Sequence, residues 1–179
     1  GESTNRSGYP AATLLANIDT INSLGANLFL STGDLFMDPV NDMPRYQRSF
    51  FSKLKMPFFN APGNHDLTGS GPSKVMLPHG KREGWMFLTL NTESKDGSIG
   101  LEQIAFMEAE SQGVDNLFII SHRPIWAEDD PQYSPLFQGN TRSVLGTNFQ
   151  KDVYPLLEQI AKHTEVYWIS GSMAGRAPA

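Results

Sequence analysis

Asn60-Ala-Pro-Gly-Asn-His-Asp66 places an amide, an imidazole and a carboxylate on successive residues, Asn64, His65 and Asp66, directly after a glycine. Such a set can hold a metal ion through the amide oxygen and move a proton through the imidazole, with the carboxylate orienting the ring. Gly63 permits the positive φ that lets all three side chains leave a strand end together. The run before it, Met56-Pro-Phe-Phe59, is short and apolar and reads as a buried strand. Two further apolar runs end in the same way. Asn27-Leu-Phe-Leu-Ser-Thr-Gly-Asp34 ends in a carboxylate, and Asn116-Leu-Phe-Ile-Ile-Ser-His-Arg-Pro124 delivers an imidazole at His122. Three strands that each bring a metal-type donor to the carboxyl end point to one sheet edge, where α/β proteins bind ligands.

In this order, Gly33-Asp34, Gly63-Asn64-His65-Asp66 and Ser121-His122 resemble the middle motifs of the calcineurin-like metallophosphoesterases. The resemblance spans about residues 13 to 170, and the four-residue block is its most specific part. It implies metal-dependent hydrolysis of a small phosphate mono- or diester. Two cations ~3.5–4 Å apart make a hydroxide from water and neutralise the phosphoryl oxygens, while an acid protonates the leaving group. On this resemblance Asp34 corresponds to the carboxylate that bridges both metals, Asn64 gives an oxygen and His122 a nitrogen. His65 resembles the general acid, held in place by Asp66. Mixed nitrogen and oxygen donors suit Mn, Fe or Zn better than Ca or Mg. Arg123 is either a phosphate contact or a salt-bridge partner. His79 and His163 fall at surface positions.

Two family motifs are missing. The family opens with Asp-x-His, which occurs nowhere in this chain, and closes with Gly-His-x-His, where this chain reads Gly171-Ser172-Met173-Ala174. One explanation puts the first strand upstream of Gly1 and the closing strands beyond Ala179, so that the domain is truncated at its N-terminus. That does not restore the closing histidines. The other makes the protein a diverged, non-catalytic binding module that keeps the fold and takes one metal or none. Ser172 is at best a weak oxygen ligand.

Composition bounds the rest. A chain of 179 residues can bury ~70 % of its unfolded surface as one domain, residues 1–179. A net charge of −5 and the lack of a Lys/Arg cluster argue against a nucleic-acid track. No apolar run nears the ~18 residues of a membrane span. The polar start, Gly1 to Gly8, is not a signal peptide. Zero cysteines leave the compartment open, with a slight lean to a periplasmic or secreted protein. Asn5-Arg-Ser7 fits a glycosylation sequon.

The elements that must position the three donors follow from periodicity. Leu14, Leu15, Ile18, Ile21 and Leu24 have helical spacing, with Gly25 as the stop. Strand 27–31 follows, then a loop from Leu35 to Pro44 and a helix marked by Tyr46, Phe50 and Leu54. After a loop at 67–73, residues 74–77 and 85–91 read as a hairpin joined by 78–84. Leu101, Ile104 and Ala105 begin a helix that ends at Gly113. Strand 116–120 leads into a long loop over 123–148, in which Trp126 is the best placed to line a pocket and Asp129 and Asp130 read as a solvated face. A helix from about Asp152, with Pro155 in its first turn, precedes the last strand, 166–170. Helices alternating with buried strands give an α/β fold. The resemblance implies a more particular form, two mixed β-sheets packed face to face with flanking helices.

Overall fold

The computed structural model describes residues 12–36, 39–66, 73–79, 82–94, 96–134 and 146–172. Two sheets carry the site. In the first, β1 (Phe29–Ser31) runs parallel to β2 (Phe58–Asn60), with Ser31 opposite Asn60. The second has the order β3 (Ser73–His79), β4 (Arg82–Thr89), β5 (Asn116–Ser121) and β6 (Glu165–Ser170). Its β3–β4 pair is antiparallel, while β4, β5 and β6 are parallel, so this sheet is mixed as expected and the first is purely parallel.

Helices cover one side of each sheet. Alternation along β4 and β5 turns Met86, Leu88, Leu117 and Ile119 to one face, where they form a core with Met107 of α4 (Leu101–Glu110) and Ile160 of α5 (Tyr154–Ile160). Full burial of Leu88 or Leu117 contributes roughly 1.5–3 kcal/mol each. A second cluster, Phe36, Tyr46 and Phe50, joins α1 (Ala12–Ala16), α2 (Ile18–Ser23) and α3 (Pro39–Ser49) to Phe29 of β1. On the other face of the second sheet Phe87, Phe118 and Tyr167 stack at 4.8 Å spacings, and Tyr167 remains 45 % exposed.

Several boundaries differ from the sequence reading. The segment expected as loop from Leu35 to Pro44 already enters α3 at Pro39. Pro39 suits a first turn, and the bond that Pro44 cannot donate would have gone to Val40, where solvent replaces it because Val40 is exposed. The expected first helix is divided at Asn17 into α1 and α2. The hairpin strands are longer than expected, since β3 reaches His79 and β4 begins at Arg82. A wide turn of five residues at Phe149–Val153 leads into α5, which has Pro155 in its first turn. The sequon, the loop at 67–72 and the second half of the closing motif, Met173 and Ala174, lie outside the described residues. No described helix is long and apolar enough to cross a membrane.

Candidate metal and phosphoester site

The carboxyl ends of β1, β2 and β5 meet, and the backbone there is too crowded for side chains at two positions. Gly33 has φ 97°, and a Cβ on it would stand 2.6 Å from the Ala61 carbonyl oxygen and 2.8 Å from His122 Nδ1. A Cβ on Gly63 would collide with the Asp34 carboxylate. The glycines of both motifs are thus what allow the strand ends to approach.

Asp34 itself adopts a left-handed conformation, φ 56°, which aspartate tolerates better than most residues. Its Oδ1 accepts the His65 backbone N–H at 3.1 Å, and its Oδ2 faces His122 Nε2 at 3.3 Å. His122 is 2 % exposed, and its Nδ1 lies 2.7 Å from the Thr32 carbonyl oxygen. A carbonyl only accepts, so Nδ1 carries the proton and Nε2 is directed at the Asp34 carboxylate. That Nε2 is buried, and Asp34 Oδ2 is the group it faces.

The pair sets its own titration. Burial alone raises the Asp34 pKa, but hydrogen bonds from His122 and from the His65 amide, with the charge of both histidines, bring it down to about 2. Burial likewise opposes charge on His122, and its bonds to Asp34 and Thr32 outweigh burial and raise its pKa. Without a metal, a proton holds the two groups together. The same pair fits a divalent ion: a nitrogen and an oxygen that each bind one ion at ~2.0–2.2 Å in tetrahedral array stand ~3.4 Å apart.

Asp66 has a different place from the one expected. Its carboxylate is 7 % exposed and accepts backbone N–H groups from Asp34 (3.0 Å), Leu35 (2.9 Å), Phe36 (3.3 Å) and Gly63 (2.9 Å), and the Asn60 side-chain amide (3.0 Å). The His65 ring is not among its partners. Asp66 therefore ties the two motif loops together rather than orienting the imidazole, because five N–H donors already saturate its oxygens. His65 is exposed at the rim, fixed through its backbone bond to Asp34 Oδ1.

Asn64 is also differently engaged. Its Oδ1 accepts from Arg123 Nη2 at 2.9 Å, so in this structure it faces a guanidinium. Arg123 is buried, and its Nε lies 2.7 Å from Glu93 Oε1. Of the two alternatives for Arg123, the salt bridge is the one present. Sequence reasoning passed over Glu93. The signal was there: Leu88-Thr-Leu90 is a buried strand end followed by the polar Asn91-Thr-Glu93, and β4 is parallel to β5, so its end reaches the same edge. Thr92 Oγ1 there accepts the Arg123 backbone N–H at 3.0 Å.

Among the described residues no group of three His, Cys, Asp or Glu side chains converges to hold an ion. Asp34 and His122 meet, Asn64 is adjacent but turned to Arg123, and Ser172 follows β6 with φ 52°. His163 is exposed beyond α5, and the side chain of His79 lies outside the described residues. A family model described as calcineurin-like phosphoesterase matches residues 9–154. Comparison with curated proteins and with solved structures gave no match.

Proposed function

The chain belongs to the calcineurin-like phosphoesterase family, whose chemistry is metal-dependent phosphoester hydrolysis, and on that premise we propose that this protein hydrolyses a phosphate mono- or diester at the Asp34–His122 edge. The observation that carries this reading is the buried Nε2 of His122, aimed at the Asp34 carboxylate 3.3 Å away at the meeting of three strand ends. Divalent ions, when bound, supply positive charge to the phosphoryl oxygens and activate water. Asp34 and His122 are the donors for one ion, of Mn, Fe or Zn type from the nitrogen and oxygen set. Asn64 is exposed, so rotation away from Arg123 frees its oxygen to join them. Arg123, held by Glu93 through Nε and Nη2, then remains as a fixed positive charge beside the site, of the kind that attracts a phosphate oxygen. His65 supplies a proton to the leaving oxygen from its exposed ring, at a position set by the bond between its own amide and Asp34.

A second reading has its own support. Only two strong donors meet among the described residues, which favours a binding module with one ion or none. Hydrolysis of p-nitrophenyl phosphate and bis-p-nitrophenyl phosphate by chelator-treated protein reloaded with Mn, Fe or Zn separates the two. Turnover that depends on metal is the expected result. No turnover with any of the three ions, together with one equivalent of metal or less per chain, contradicts hydrolysis and leaves the binding module.

A further inference from the structure

A cavity of about 490 Å³ opens on the helix-covered side of β6, within the ~300–1,000 Å³ range of small-molecule sites. Its walls are aromatic, from Trp126, Phe149, Tyr154 and Trp168, and Asp129 and Asp130 stand at its edge. Trp126 lines a pocket as expected, and Asp129, expected on a solvated loop face, is both exposed and part of the lining, beside Asp130.

The chemistry of the lining is specific. Both indole N–H groups are already committed, Trp126 Nε1 to Ser170 Oγ at 3.1 Å and Trp168 Nε1 to Ser121 Oγ at 2.8 Å. The rings therefore offer a ligand π surface and no indole donor. Phe149 packs edge-on against Trp168 at 5.6 Å, which fixes that wall. Asp130 Oδ1 accepts the backbone N–H groups of Gln132 and Tyr133 at 2.8 and 2.9 Å, which anchors the acidic edge. Asp129 is exposed and makes no hydrogen bond or ion pair among the described residues. No Lys, Arg or His lines the cavity among the described residues.

We propose that this cavity binds an organic ammonium ion, with an alkylated, quaternary head group as the best match. Ring faces carry negative charge density and attract a cation, and a quaternary ammonium has no N–H that the rings would leave unsatisfied. The exposed Asp129 carboxylate supplies the counter-charge. A phosphate or carboxylate ligand is repelled by the same edge. The inference does not depend on phosphoester hydrolysis. Ser121, on β5, bonds to Trp168 on the cavity side, whereas His122, one residue on, turns to Thr32 and Asp34.

The test uses choline and its uncharged isostere, 3,3-dimethylbutan-1-ol, at constant ionic strength. Trp126 and Trp168 are two of the three tryptophans, so a Trp85→Phe background reports on the cavity by fluorescence. Choline should give a saturable change, and the isostere should bind at least ~10-fold more weakly or not at all. Asp129→Asn, an exposed substitution, should weaken choline ~3–10-fold, as loss of a partly exposed charge pair does. Equal binding of choline and the neutral isostere overturns the proposal without any variant. So does no saturable change up to ~100 mM choline, well above the weak affinity that a single cation–π site provides.

Discussion

At the scale of single residues, the two acidic side chains of the motifs do opposite jobs. Asp34 holds its carboxylate open to His122, while Asp66 turns inward and accepts five N–H groups from the loops around it. Charge-assisted bonds of this kind contribute more than neutral ones, and losing the acceptor strands several donors together. Asp66→Asn should therefore destabilise the fold by ~2–4 kcal/mol in urea unfolding. A change under ~0.5 kcal/mol, the size of an ordinary surface substitution, would contradict its role as a tie. His65 presents the contrary case, because its ring is exposed. His65→Ala should leave stability nearly unchanged and lower kcat by ~10²–10⁴-fold on an alkyl phosphate, the range of a positioned acid. On p-nitrophenyl phosphate, whose leaving group needs little protonation, the loss should be smaller. Equal losses on both substrates would make His65 a ligand or scaffold residue. That Asp66 is a tie was not legible in the sequence, since adjacency to His65 suggested a pair and only the turn geometry shows which way each side chain goes.

At the scale of elements, the strands were the readable part. Continuous apolar runs before Asp34, Asn64 and His122 locate β1, β2 and β5 to within two residues, although only β5 is buried and β1 and β2 are half-buried throughout. α3 lies earlier in the chain than Tyr46, Phe50 and Leu54 suggest, since two prolines look like loop when their helical positions are unknown. The hairpin was read too short, because the Pro78-His-Gly run masked the ends of its strands. The crossing of the glycine turns was half legible: the motifs announced turns, but not that their backbones touch. Gly33 carries the larger constraint, with positive φ and a neighbouring carbonyl in the space of a side chain. Gly33→Ala should destabilise by ~2–4 kcal/mol. Gly100, the N-cap of α4, has open space around it, so Gly100→Ala should cost no more than ~1 kcal/mol, the N-cap preference for Gly over Ala. Similar losses for both in thermal unfolding would show that the strand ends are less tightly joined than the structure has them.

At the scale of the whole molecule, the Asp34–His122 pair links the two sheets, so its titration should be felt in global stability. Asp34 is lowered to about 2 from 3.8, so its contribution is present above 3.8 and is lost as pH falls through about 2. His122 is raised from 6.5, so its contribution is complete below 6.5 and is lost as pH rises through the higher value. Chelator-treated protein should thus be steadied by this pair most between pH 3.8 and 6.5. A bound divalent ion replaces the proton, so Mn should flatten the alkaline fall. An unchanged pH profile in His122→Gln would contradict this. The architecture at this scale was legible through family resemblance, not through periodicity, which reports strands and helices but not how sheets face one another. The engagement of Asn64 by Arg123 and Glu93 was not legible, because those residues are far apart in the chain and come together only at the sheet edge. The central claim is that Asp34 and His122 together hold a metal ion. Calorimetric titration of chelator-treated protein with Mn and Zn tests it most directly. At least one ion per chain is the expected result, with affinity reduced ~100-fold or more in Asp34→Asn and in His122→Ala and with proton release on binding. Unchanged affinity in both variants, or no binding of either ion by the parent protein, would contradict it.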